Sequence, residues 1–87
     1  MPDFKNMNNL IQLNLNKNNL WSEDLENLKA LRNNTNLTIN LSNNSIIDAT
    51  ALLELNPNTK INLTGNVNLS QDSKDKLKAR FGNNVTF

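Results

Sequence analysis

The stretch Leu10-Ile11-Gln12-Leu13-Asn14-Leu15-Asn16-Lys17-Asn18-Asn19-Leu20 sets leucine at its first, fourth, sixth and eleventh places and asparagine at its ninth. Its centre, Leu13-Asn14-Leu15, alternates apolar and polar side chains with the period of two that belongs to a strand with one buried face. The pattern recurs along the chain. Ile39, Leu41, Asn44 and Ile46 repeat Leu13, Leu15, Asn18 and Leu20 at an offset of 26 residues, with Asn36 where the first leucine stood. Ile61, Leu63 and Asn66 repeat it 22 residues further on, with Leu69 one place late, and Val85 and Phe87 begin another copy after 24 more.

Between these strand motifs lie segments with helical signals. Ser22 is placed to cap a helix whose first turn holds Glu23 and Asp24, where carboxylates suit the helix dipole, and whose apolar face is Leu25, Leu28 and Leu31. Asp48 is placed to cap a shorter one carrying Ala51, Leu52 and Leu55, which Pro57 stops. Ser70 is placed to cap the last, where Leu77 and Phe81 are i,i+4 neighbours and Gly82 follows as a C′ residue. A partial helix is expected from Asp3 to about Asn8, carrying Phe4 and Met7.

Asn and Leu together are 36 of the 87 residues, a bias that in unphased form marks disorder. Here the asparagines are phased with the apolar pattern, which argues for folding. A chain of this length buries only about 60% of its unfolded surface, so it is near the lower limit for a domain without staples. It has no Cys, hence no disulfide or thiolate metal site, and no His, hence no imidazole base or His ligand. No cofactor is expected. A formal charge of +1 is too small for a binder of phosphate backbones, so nucleic acid is not an expected partner. No apolar run is long enough to cross a bilayer, so a membrane is not expected either. Met1-Pro2-Asp3 does not begin a basic-then-apolar leader, so the expectation, with location itself unknown, is the cytoplasm or a signal-independent secretion route.

The first copy matches L-x-x-L-x-L-x-x-N-x-L at every fixed position, and in this the chain resembles the leucine-rich repeat family. The resemblance implies an α/β fold: a right-handed solenoid with parallel β-strands on the concave face, helices on the convex face, and about three repeats plus a final strand. The chain is then one domain, 1–87, with repeats at 10–35, 36–58 and 59–82 and a C-terminal cap at 70–87. Asn18, Asn44 and Asn66 occupy the fixed asparagine, which the family buries in the turn after each strand to satisfy backbone N–H and C=O groups. Strand alternation sends a second set to the concave face. Asn14, Asn40, Asn62 and Thr86 form its central ladder, flanked by Gln12, Thr38, Lys60 and Asn84 on one side and by Asn16, Ser42 and Thr64 on the other.

That face is the surface the family presents to partners, which implies a non-enzymatic protein-interaction module. It is also readable as solvated filler whose amides bond along the ladder, since it holds no Trp, Tyr or Arg anchor. Repeats with convex helices and an Asn-rich, AT-biased composition also look like those of bacterial effectors that bind host proteins. The segment from Ser70 onward reads as a closing cap while the start has none, so Phe4, Met7 and Leu10 are expected to be partly exposed beside an unpaired first strand. Either the chain is a capping or assembly fragment of a longer repeat protein, or this N-terminal edge self-associates.

Other signals are weaker. Seven Asn-x-Ser/Thr sequons, at Asn33, Asn36, Asn40, Asn43, Asn62, Asn68 and Asn84, are what an Asn-rich chain generates by chance. Lys74, Lys76, Lys78 and Arg80 read as the solvated face of the last helix, and Trp21 as cover for a helix start. Glu23/Asp24 and Asp72/Asp75 lie at helix starts, where carboxylates serve the dipole.

Overall fold

The computed structural model describes residues 3–87. Four short strands, β1 (Gln12–Asn14), β2 (Thr38–Asn40), β3 (Lys60–Asn62) and β4 (Val85–Thr86), form one parallel sheet in the order β1-β2-β3-β4. The register follows the repeat: Gln12, Thr38 and Lys60 align, as do Leu13, Ile39, Ile61 and Val85, and Asn14, Asn40, Asn62 and Thr86. Ile39, Ile61 and Val85 are buried, so one sheet face meets the core. The chain is therefore α/β, with helical segments connecting the parallel strands.

Those segments are helical but differ in kind. Ser22–Leu31, Thr50–Glu54 and Gly82–Asn84 are 3-10 helices, and among the described residues only α1 (Gln71–Phe81) is α-helical. The buried positions explain the difference. Leu25, Leu28 and Leu31 recur every three residues, as do Ala49, Leu52 and Leu55, and a helix of three residues per turn stacks them in one line. Ser73, Leu77 and Phe81 recur every four, which suits the α-helix. Ala49 rather than Ala51 therefore faces the core in the second segment; Ala51 is half-buried.

The caps also differ. Ser70 Oγ accepts from Ser73 N at 3.1 Å, and Gly82 closes α1 with φ 57° as its N–H donates to Lys78 O. Ser22 does not cap its own segment: Trp21 precedes that segment, and the Trp21 N–H donates to the Asp24 carboxylate at 2.8 Å. Ser22 Oγ instead accepts from Ile47 N and Asp48 N, at 3.2 and 2.9 Å, and so serves the start of the next connection. Asp48 Oδ1 accepts from the Thr50 N–H at 2.9 Å and from its hydroxyl at 2.7 Å. These two bonds, the backbone one foremost, hold the Asp48 carboxyl below its ordinary pKa. Arg80 leaves the outer face of α1 to donate to Leu55 O at 3.1 and 2.7 Å, which closes the second segment. Lys29 bridges the first two segments through Glu26 and Glu54, and the Glu26 hydrogen bond is the main cause of its raised pKa.

At the N-terminal side, turns replace the expected partial helix. Met7 N donates to Phe4 O and Leu10 N to Met7 O, and Phe4 is buried at 2 % exposure while Met7 stays exposed. Asn34 holds these turns: it is buried, and its amide nitrogen donates to Met7 O and Leu10 O at 3.0 and 3.1 Å. Phe4 can bury because this fixed loop folds it onto the core cluster.

The residue before each fixed asparagine, Lys17, Asn43 and Gly65, has a left-handed backbone with φ of 60°, 57° and 78°. A Cβ on Gly65 would overlap the Asn43 amide oxygen and approach the Asn43 backbone nitrogen to 3.2 Å. Gly65→Ala is expected to lower stability by about 1–2 kcal/mol, from the left-handed penalty of an L-residue and this overlap. The midpoint of urea unfolding, at unchanged slope, measures it.

Candidate functional site

The sheet face opposite the core is polar along its whole width. Gln12, Asn14, Thr38, Lys60 and Thr86 are exposed, and Asn16, Asn40, Asn62, Thr64 and Asn84 are half-buried. A depression of about 610 Å³ lies over it, lined in part by Asn14, Asn40, Lys60, Asn62 and Asn83. Asn83, on the turn into β4, was not foreseen, because a turn asparagine outside the strand pattern carries no signal of its own. Ser42 departs from the expected face: it is buried, with its hydroxyl within hydrogen-bond reach of the Asn40 and Asn16 side-chain oxygens at 2.6 and 3.0 Å. A residue so enclosed is scaffolding for the face rather than part of its surface.

The central amides do not bond to one another among the described residues. Each turns its oxygen to its own strand exit. The Asn14 oxygen accepts from Asn16 N, the Asn40 oxygen from Ser42 N and the Asn62 oxygen from Thr64 N, each at 3.0 Å. The Thr64 hydroxyl adds a second bond to Asn62, at 2.8 Å. All three are Asx turns; those of Asn40 and Asn62 are closed by a hydroxyl residue two places on, which gives the sequons there a structural origin. Asn-Leu-Ser and Asn-Leu-Thr end strands here because the side chains of residues i and i+2 bond each other. The Asn16 oxygen instead faces the exit of the next strand, accepting from Asn43 Nδ2 at 3.1 Å and lying 3.0 Å from Ser42 Oγ.

The fixed asparagines fall into two environments. The Asn44 oxygen accepts from Asn18 N and Leu20 N, at 2.9 and 3.0 Å, and its nitrogen donates to Leu15 O, Leu41 O and Ser42 O. The Asn66 oxygen accepts from Ile46 N at 3.2 Å, and its nitrogen donates to Leu41 O and Leu63 O. Both are buried. Asn18 is exposed, and among the described residues its amide donates only to Asn16 O, at 3.3 Å. The reason is directional: Asn44 and Asn66 reach back to the turn of the preceding strand, and no strand precedes β1 among the described residues.

Three of the four carboxylates in the acidic pairs are engaged at or near the starts of their helical segments. Asp24 holds Trp21 N, Asp72 pairs with Lys76 at 3.1 Å, and Asp75 accepts from Gln71 Nε2 at 3.0 Å. Trp21 leaves 55 % of its surface exposed, beside an exposed Ile47, so it covers its segment's start only in part. Compared with protein-family models, with curated proteins and with solved structures, the chain finds no match in any of the three.

Proposed function

We propose that this chain is a short right-handed leucine-rich repeat solenoid, concave on its strand side and convex on its helical side, that serves as a non-enzymatic protein-interaction module. The observation that carries the reading is the uncovered sheet face. A parallel sheet is normally covered on both sides, yet here the core lies on one side and a broad polar surface on the other. Leucine and asparagine at matched register in successive strands support the repeat architecture. The absence of His and Cys from the sequence favours binding over catalysis. The protein partner would lie across Gln12, Asn14, Asn16, Thr38, Asn40, Lys60, Asn62 and Thr64.

The test alters the face without touching its Asx turns. Gln12 and Thr38 are exposed and neighbours in register. The double variant Gln12→Glu/Thr38→Glu is expected to reduce at least tenfold the recovery of proteins captured by the native chain, with an unchanged melting curve. Recovery of the same proteins in the same amounts would sink the proposal.

A second reading rests on the β1 edge, where Leu13 and Leu15 are only half-buried. It makes the chain a capping or assembly fragment of a longer repeat protein, bacterial effectors that bind host proteins included, or lets the edge pair with a second copy. Sedimentation across a wide concentration range tests the self-association branch.

A further inference from the structure

We infer that the outer sheet face selects carboxylates, and that its ligand is an extended acidic segment of a partner polypeptide. This rests on the reading of that face as an interaction surface and specifies its chemistry. The backbone N–H groups that donate to Asn14, Asn40 and Asn62 fix which end of each amide is oxygen, since only an oxygen accepts. The three oxygens are thereby occupied. Their amide nitrogens make no hydrogen bond among the described residues; Asn14 is exposed, and neither Asn40 nor Asn62 has a buried polar atom lacking a partner. The centre of the face is therefore a row of donors still open to solvent.

Charge points the same way. Among the described residues Lys60 is the only ionisable one lining the depression and joins no ion pair, and all eight Asp and Glu residues lie outside the strands. Neighbouring strands stand about 4.8 Å apart. A carboxylate can therefore take one hydrogen bond at each oxygen from two adjacent amides, as no cation and no donor group could. Lys60, two residues before Asn62 on β3 and on the same face, supplies the attraction over longer range. A basic segment would meet donors and a like charge.

The experiment titrates the isotopically labelled full chain with a capped ten-residue peptide of alternating Asp and Ser, following the side-chain amide resonances. Shifts are expected at Asn14, Asn40 and Asn62, with affinity at least tenfold above that of the same peptide carrying Asn or Lys in place of Asp. Asn40→Asp keeps an oxygen for Ser42 N and Ser42 Oγ but replaces the outward donor by an acceptor. It is expected to weaken the acidic peptide at least tenfold with its melting curve preserved, and Lys60→Gln to weaken it about threefold. Equal binding of the acidic and amide peptides at these residues overturns the carboxylate preference and leaves the face an interaction surface. Preference for the Lys peptide, no shift at these amides, or an unweakened Asn40→Asp chain overturns it too. The broader reading stands or falls separately on the Gln12→Glu/Thr38→Glu capture.

Discussion

Asn44→Ala is expected to lower the stability of the chain by about 3–4 kcal/mol, more than the same change at Asn66 or Asn18. The ranking comes from asking which backbone groups lose their last partner. Leu41 O retains Asn66 Nδ2, and Ser42 O retains the Lys17 N–H. Among the described residues Asn18 N, Leu20 N and Leu15 O have no other bond, and the bond to Leu20 N is buried. A buried group stripped of its partner costs about 1–3 kcal/mol, with the two partly hydrated groups at the lower end. Asn66→Ala strands only Ile46 N, since Leu63 O still receives the Asn66 N–H and Leu41 O receives Asn44, so about 1–2 kcal/mol is expected. Asn18→Ala removes one exposed bond and is expected to change stability by less than about 0.5 kcal/mol. Urea unfolding of the three variants measures the order. Equal losses at Asn18 and Asn44 would mean that Asn18 is covered in solution.

The same distinction separates what was legible in the sequence from what was not. Strand register could be read because alternation has a period of two and each copy carries its own asparagine, so Leu13, Ile39 and Ile61 could be aligned before any contact was known. Helix type was also written in the spacing. Residues three apart drift by about 60° per step around an α-helix but stack on a 3-10 helix, so Leu25, Leu28 and Leu31 contained the answer that their common apolar character concealed. Ser22 and Asn34 lay beyond such reading. A hydroxyl or amide carries no mark of which backbone group it will serve, and theirs are 24 to 27 residues away. The outer face was legible as a list of residues but not as chemistry. Whether an asparagine offers donors, acceptors or both depends on a turn geometry that its identity does not reveal.

Ile39→Ala is expected to cost about 3–4 kcal/mol and Leu13→Ala about half as much or less, although the two residues hold the same place in successive repeats. Ile39 sits on β2 between two paired strands and is fully buried, so its truncation leaves a cavity that the flanking Leu13 and Ile61 cannot fill without moving their own strands. Leu13 is half-buried on an edge strand, where water already touches one flank and less transfer energy is at stake. An 87-residue domain has roughly 4–13 kcal/mol of total stability, so Ile39→Ala takes a large share and can leave the chain partly unfolded at 37 °C. The contrast bears on the edge as well as on the core. β1 offers unpaired backbone groups beside partly exposed leucines, the arrangement that invites another strand. A monomer with that edge in water gives the unequal pair at every protein concentration. If a second copy covers it, the Leu13→Ala penalty must grow with concentration toward that of Ile39→Ala, because burial supplied by association contributes only when association occurs. Denaturation of both variants at micromolar and near-millimolar protein therefore measures the core and the state of its open edge together.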